Sequence, residues 1–157
     1  MDVEIEQIAD FDQVWPHVRR LFQELNELHL PLTGQELLPD WEQRVRAAFD
    51  PPMRSGQSVF FVARRQGEIV GFINGHAFEN AGIFRECLGF VDNAYVRPEL
   101  RGQRIASLLL EALERWFTSK GAQAAELNVV TANEHARRVW EHLGYQPFSE
   151  RRRKRLR

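Results

Sequence analysis

The sequence predicts an α+β fold: a mixed, mostly antiparallel central sheet flanked by helices, with one parallel strand–helix–strand crossover late in the chain. Three observations predict it. Runs rich in β-branched and aromatic residues, "SVFFVARRQGEIVGFINGHAF", "CLGFVDNAYV" and "AAELNVV", have the character of strands. Apolar residues recur at helical spacing near both ends of the chain and between the last two of these runs. No repeat or linker divides the 157 residues, so one domain spanning 1–157 is expected. The expected order is strand, two helices, three strands, helix, strand, helix, strand.

Val3 and Ile5 alternate with acidic residues, as a short strand does. Phe11, Val14, Val18, Leu21, Phe22, Leu25 and Leu28 then form a helical stripe, with Asp10 and Gln13 as a capping box and Pro16 near the first turn. Pro31, Gly34 and Pro39 in "HLPLTGQELLP" predict the end of that helix and a loop carrying His29. Trp41, Val45, Ala48 and Phe49 predict a shorter helix that Pro51 and Pro52 stop. Gln66 and Gly67 mark the turn of a hairpin, and a looser loop from Glu79 to Glu86 leads to the strand "CLGFVDNAYV".

Ile105, Leu108, Leu109, Ala112, Leu113 and Trp116 form the stripe of the crossover helix, with Lys120 in its last turn and Gly121 just beyond. The following strand, "AAELNVV", is expected to run to Val130 and to lie parallel to the one before the helix. Asn133 then caps a last helix bearing Ala136, Val139, Trp140 and Leu143, with Gly144 at its end. "ERRRKRLR" is a terminal strand, a solvated tail or a nucleic-acid-binding tail; it lacks the interleaved aromatics that stack on bases.

Composition narrows the function. The single cysteine, Cys87, can form no internal disulfide, which favours a reducing, cytoplasmic setting. "MDVEIEQIAD" has no basic head before an apolar run, and no apolar stretch has the length of a membrane span. A net charge of −1 provides no overall field for nucleic acid or an anionic membrane. No His or Cys cluster has metal-ligand spacing.

The chemistry concentrates at Arg101–Arg104, "RGQR", directly before the crossover helix. The first amides of a helix have no internal partner and carry partial positive charge, and Arg101 and Arg104 add full charges beside them. That combination suits a phosphate. The stretch has neither the GxxxxGK[ST] of a P-loop nor a GxGxxG fingerprint.

In the frame "YVRPELRGQRIASLLL", and with "NEHARRVWEHLGY" further on, the chain resembles the GNAT superfamily of acetyl-CoA-dependent N-acetyltransferases. The family's phosphate signature, Arg or Gln, two residues, Gly, one residue, Gly or Ala, falls on Arg101, Gly102, Gln103, Arg104, Ile105 and Ala106. Asn133, Ala136, Trp140, Gly144 and Tyr145 carry the second motif. The resemblance implies a GNAT-like sheet whose crossover forms the acetyl-CoA cleft. It implies that the amides of Gln103 to Ser107 cradle the pyrophosphate. The pantetheine arm would lie where the strand ending at Val96 splays from the strand ending at Val130. Tyr95 and Val96 would flank the arm on one side, and Asn133, Ala136 and Trp140 on the other. A small-molecule amine would be the acceptor, with no nucleic acid or membrane partner, and the resemblance also implies a homodimer.

Two positions depart from the family pattern. Arg104 stands where glycine is usual, which is acceptable if the residue is already helical. Trp140 replaces a tyrosine that could protonate the departing thiolate, and an indole cannot serve as that acid. Either thiolate leaves unaided or Tyr145 supplies the proton.

A free ammonium must lose its proton before it attacks. Asp92, followed by Asn93, resembles the acidic pair that receives the amine in polyamine acetyltransferases of this superfamily, which makes Asp92 the candidate base. Strand alternation places it with Phe90, Ala94 and Val96 in the cleft; the alternative is an ordinary strand aspartate paired with an arginine. His29, His76 and Glu79 are candidates for the acceptor pocket, the Val96 N–H for an oxyanion donor, and His135 and His142 for solvated positions. Arg54, Arg64 and Arg85 offer charge for a carboxylate instead. A noncatalytic CoA-binding module and an enzyme acting on a protein or peptide amine are the competing readings.

Overall fold

The computed structural model describes residues 2–80, 82–83 and 86–156. Strands β1 (Val3–Gln7), β2 (Ser58–Arg65), β3 (Glu68–Glu79), β4 (Cys87–Val96) and β5 (Ala124–Leu127) lie side by side in that order in one sheet. The first three pairings are antiparallel and β4–β5 is parallel, the mixed α+β arrangement expected. Helices α1 (Phe11–Thr33) and α2 (Trp41–Arg54) join β1 to β2, α3 (Ile105–Ser119) is the crossover, and α4 (Glu134–His142) follows β5.

Alternation along the strands divides the core into two layers. Phe60, Val62, Ile69, Phe72 and Tyr95 face α1 and meet Phe11, Trp15, Val18 and Phe22, with Phe22 stacked on Phe72 at 4.4 Å between centroids. Val59, Phe61, Ile73, Val91 and Val96 face the other way, against Ile105, Leu109, Leu113 and Phe117 of α3. The α3 layer is close because β4 lacks a side chain at Gly89: a Cβ there would stand 2.4 Å from the Phe117 ring. A Cβ on Gly75 of β3 would likewise meet that ring, at 2.8 Å, so two glycines seat the helix that carries the phosphate turn.

Local signals hold well at the caps. Asp10 caps α1 through its carboxylate, which accepts from the Asp12 amide at 3.0 Å and the Gln13 amide at 3.4 Å. Gln66 and Gly67 both have positive φ, 52° and 82°, as a two-residue hairpin turn of the right twist requires.

Prolines proved weaker stops than expected. α1 continues through Pro31 to Thr33, so His29 lies in a helix and not in a loop. Pro31 and Glu27 are both exposed, leaving the carbonyl that loses its partner open to solvent, and the Thr33 hydroxyl donates back to the His29 carbonyl at 3.1 Å. α2 likewise runs through Pro51 and Pro52, whose own carbonyls accept from the amides of Ser55 and Gln57. At the other end of the chain, β5 stops at Leu127 rather than Val130, and residues 146–156 form no strand. Phe148 and Leu156 are exposed there, and the intervening, mostly basic run has no apolar alternation to pair with a sheet. Among the described residues no helix is long and apolar enough to cross a membrane.

Candidate active site

The phosphate turn is built from two positive-φ residues. After a single 3₁₀ turn at Pro98–Leu100, Gly102 (φ 74°) and Arg104 (φ 64°) swing the chain into α3. The Arg104 carbonyl is the first helical acceptor, taking the Leu108 amide at 3.0 Å, so the amides from Gln103 to Ser107 have no helical partner. The condition on which an arginine is acceptable here, that the residue already be helical, is not met: Arg104 is left-handed, a conformation that costs a side-chain-bearing residue about 1 kcal/mol. Arg104→Gly is expected to raise unfolding stability by about 0.5–1 kcal/mol while weakening CoA binding less than tenfold; thermal melts and calorimetry on the same variant check both.

The charge read at Arg101 has another use. Its Nε donates to the Val96 carbonyl at 3.1 Å and its guanidinium lies 5.7 Å over the Tyr95 ring, which ties the turn to the end of β4. Tyr95 is buried on the α1 side, where its hydroxyl donates to Glu24 at 2.9 Å. Burial first, and then the Glu24 carboxylate, push that phenol up to about 12. Only the backbone of Tyr95 and Val96 is left to meet an arm lying along β4.

The splay between β4 and β5 opens at one defined point. Their pairing ends at Val91–Leu127, after which residues 128–130 follow no regular path. The Arg97 amide bonds the Val70 carbonyl of β3, so alternation turns the amides of Ala94 and Val96 to the open side. Across the gap the Asn133 carboxamide oxygen accepts from the Ala136 amide at 3.0 Å, capping α4 and leaving its NH₂ for a ligand. An anion cradle, an open strand edge and a carboxamide fit a donor that carries phosphates at one end and amides along its arm.

At the mouth of the splay, β4 carries an extra residue. Asn74 pairs with Asn93 but Gly75 pairs with Val91, so Asp92 is the bulged residue. The bulge re-phases the strand. Val91, Ala94 and Val96 belong to the α3 side, so Asp92 does not share a face with Ala94 and Val96 as alternation implied. It lies instead with His76, whose Nδ1 sits 3.1 and 3.0 Å from the two Asp92 oxygens. The partner of Asp92 is thus a histidine rather than an arginine. The carboxylate hydrogen bond is the main reason the His76 pKa is raised above its usual 6.5, with burial opposing it and the charge attraction adding to it. With Nδ1–H held on Asp92, Nε2 is left as the proton acceptor. Asn93 adjoins this pair on β4.

Beside the pair lies a polar side chain with no protein partner. Asn74 is 1% exposed, and neither its carboxamide oxygen nor its nitrogen is hydrogen-bonded among the described residues. Such a group costs about 1–3 kcal/mol. Asn74→Leu is expected to raise stability by about 1 kcal/mol and to lower kcat/KM, an exchange that denaturant melts and turnover measured together would display.

The other candidates fall elsewhere. Phe78 shares the His76 face, with their rings 5.5 Å apart, so alternation puts Glu79 on the opposite side of the sheet. His29 follows Leu28 on α1, which lines a groove with Tyr95 and Arg97 at the end of β4, whereas His76 and Asp92 bond each other. Tyr145 packs against the α3 layer and its hydroxyl donates to Glu114 at 3.0 Å. Burial and then the Glu114 charge push its pKa up, so it is a weak acid whose proton is already held. Trp140 stacks edge-on against Tyr145 at 5.4 Å. Arg54 is paired with Asp50 and Arg64 with Glu6, which leaves neither free for a carboxylate substrate, and Arg85 lies outside the described residues. His135 and His142 are exposed, as expected. Among the described residues no group of His, Cys, Asp and Glu could hold a metal ion.

Sequence reasoning missed Arg65 and the acidic groove between α1 and the sheet. The groove, of about 550 Å³, is lined by Glu24, Glu27, Glu68 and Glu99 with Arg20 and Arg97. It forms only when α1 is docked, so no local pattern announces it. The bulge did leave a trace, since Gly89 and Val91 are followed by Ala94 and Val96, a three-residue step in a two-residue rhythm.

Known proteins share this fold. The BH1408 protein of Bacillus halodurans, as the F44R mutant, superposes with a TM-score of 0.83 at 20% identity, covering 98% of this chain and 99% of its own. Aminoglycoside acetyltransferase AAC(6')-Iy, in complex with the bisubstrate analogue CoA-S-monomethyl-acetylneamine, superposes at 0.77 with 19% identity, covering 100% and 99%. A soil metagenomic aminoglycoside acetyltransferase, meta-AAC0020, in complex with sisomicin, superposes at 0.73 with 18% identity, covering 99% and 97%. These likenesses concern the fold. The profile of the Acetyltransferase (GNAT) family matches residues 15–145, which include the phosphate turn, the splay and the His76–Asp92 pair, and on that match the chain is a member of the GNAT acetyltransferase family, with acetyl-CoA as its donor.

Proposed function

We propose that the protein transfers the acetyl group of acetyl-CoA directly to a primary amine of a small molecule, with His76 as general base and Asp92 as the carboxylate that orients it. The observation that carries this reading is the His76–Asp92 hydrogen bond at the residue where β4 and β5 part. Asp92 fixes the tautomer and stabilises the imidazolium; His76 Nε2 takes the proton of the incoming ammonium. A histidine raised somewhat above 6.5 is well matched to that task near neutrality. The amides of Ala94 and Val96 face the open edge as donors to the thioester carbonyl oxygen. Tyr145 is a structural pin on Glu114, and the thiolate, with a pKa of about 8.5, leaves unassisted.

The acceptor we infer carries more than one amine. The acidic groove lies on the same face as His76 and is entered about 10 Å along β4 from Asp92, at Tyr95. A second ammonium placed there would meet glutamates while the first met the base. That two structural neighbours are aminoglycoside acetyltransferases supports the same class. Thiol release from acetyl-CoA across polyamines, aminoglycosides, amino acids and peptide N-termini tests it, with the product identified by mass. Turnover confined to multiply charged amines is expected; turnover only with peptide N-termini, or with none, contradicts it.

A further inference from the structure

The guanidinium that faces the phosphates of CoA is, we propose, Arg65 rather than Arg101. The proposal rests on acetyl-CoA being the donor. Arg65 ends β2, two strands before the motif in sequence, yet β2 and β4 are parallel in the sheet and their C-terminal ends lie together. There Arg65 Nη1 donates to the Gln103 side-chain oxygen at 3.1 Å. Gln103 supplies the first amide of the phosphate cradle, so the bond sets Arg65 at the rim of the anion site.

Charge accounting around the turn points the same way. Arg97 is paired with Glu68 at 3.3 Å, and Arg101, though it too has no carboxylate partner among the described residues, is drawn over the Tyr95 ring by the bond of its Nε to the Val96 carbonyl. Arg65 has no carboxylate within ion-pair distance among the described residues, and the bond to Gln103 uses one of its five N–H groups. It is half-buried, which lowers the screening of its charge without closing it off. A guanidinium so placed, held by a neutral partner and lacking a counter-ion, is complementary to a phosphate. Gln103 orients it and the ligand supplies the negative charge.

Calorimetric titration of CoA and 3′-dephospho-CoA into the wild type and the Arg65→Ala, Arg65→Gln and Arg65→Lys variants tests this. Arg65→Ala and Arg65→Gln are expected to weaken CoA binding roughly 10- to 100-fold, the worth of a charge-assisted hydrogen bond, with Arg65→Lys between them and the wild type. Melting temperatures should stay close to that of the wild type. If the loss persists with 3′-dephospho-CoA, Arg65 contacts the pyrophosphate; if it vanishes, it contacts the 3′-phosphate. Wild-type affinity in Arg65→Gln would overturn the proposal, because the variant keeps a polar partner for Gln103 without the charge. So would a Lys variant as weak as the Ala variant. Failure of the wild type itself to bind CoA would instead contradict the donor.

Discussion

His76→Gln is expected to lower kcat/KM for the amine by about 10²–10³-fold at neutral pH while leaving the KM for acetyl-CoA nearly unchanged. Glutamine keeps a polar side chain on the face that His76 occupies but cannot take a proton. Asp92→Asn should act through His76, so its signature is in the pH profile as well as the rate. In the wild type kcat/KM should rise with pH through a value above 6.5, because His76 must be neutral and Asp92 holds its pKa up. In Asp92→Asn that limb should move toward lower pH and the plateau should fall. Stability carries the opposite sense. A histidine whose folded pKa is raised contributes stability that is fully present below its unfolded value and is lost as pH rises through the folded value. Asp92→Asn should therefore destabilise the protein more below pH 6.5 than well above the folded value. A variant with lowered rate but an unmoved pH limb would show that Asp92 does not act through His76.

The second large effect is structural. Gly89→Ala sets a methyl 2.4 Å from the ring of Phe117, a residue 2% exposed and enclosed by the α3 layer, so the ring has little room to retreat. A loss of about 3 kcal/mol is expected in denaturant melts. Displacing α3 also moves the phosphate turn at its N-terminus, so acetyl-CoA affinity should fall with stability. Combining Gly89→Ala with Phe117→Leu should recover part of both, because the two side chains compete for one space. Additive losses in the double variant would place the cost elsewhere.

What could be read in the sequence, and what could not, follows the range of the interactions. The caps at Asp10 and Asn133, the Gln66–Gly67 turn and the RGQR cradle depend on neighbours within a few residues, and each stands where local chemistry puts it. Proline stops depend on surroundings: Pro31 ends nothing because the orphaned carbonyl is at the surface. The site was legible in part. Asp92 and His76 were both recognisable as chemistry-bearing residues, but they lie 16 positions apart and meet only because one extra residue shifts the β3–β4 register. The same shift removed Asp92 from the face that simple alternation assigned. Arg65 was out of reach altogether, since its neighbourhood to Gln103 is a property of the sheet order and not of any spacing. Tyr145 shows the reverse case: its residue type suggested an acid, and only the contact with Glu114 revealed a hydroxyl already engaged.

The assignment of every residue above depends on acetyl-CoA occupying the cradle and the splay. Isothermal titration of acetyl-CoA into the protein measures this directly. One equivalent binding per chain, weakened by added salt as a phosphate contact requires, is the result expected. No detectable heat, together with no thermal stabilisation by acetyl-CoA, would contradict the account at its base.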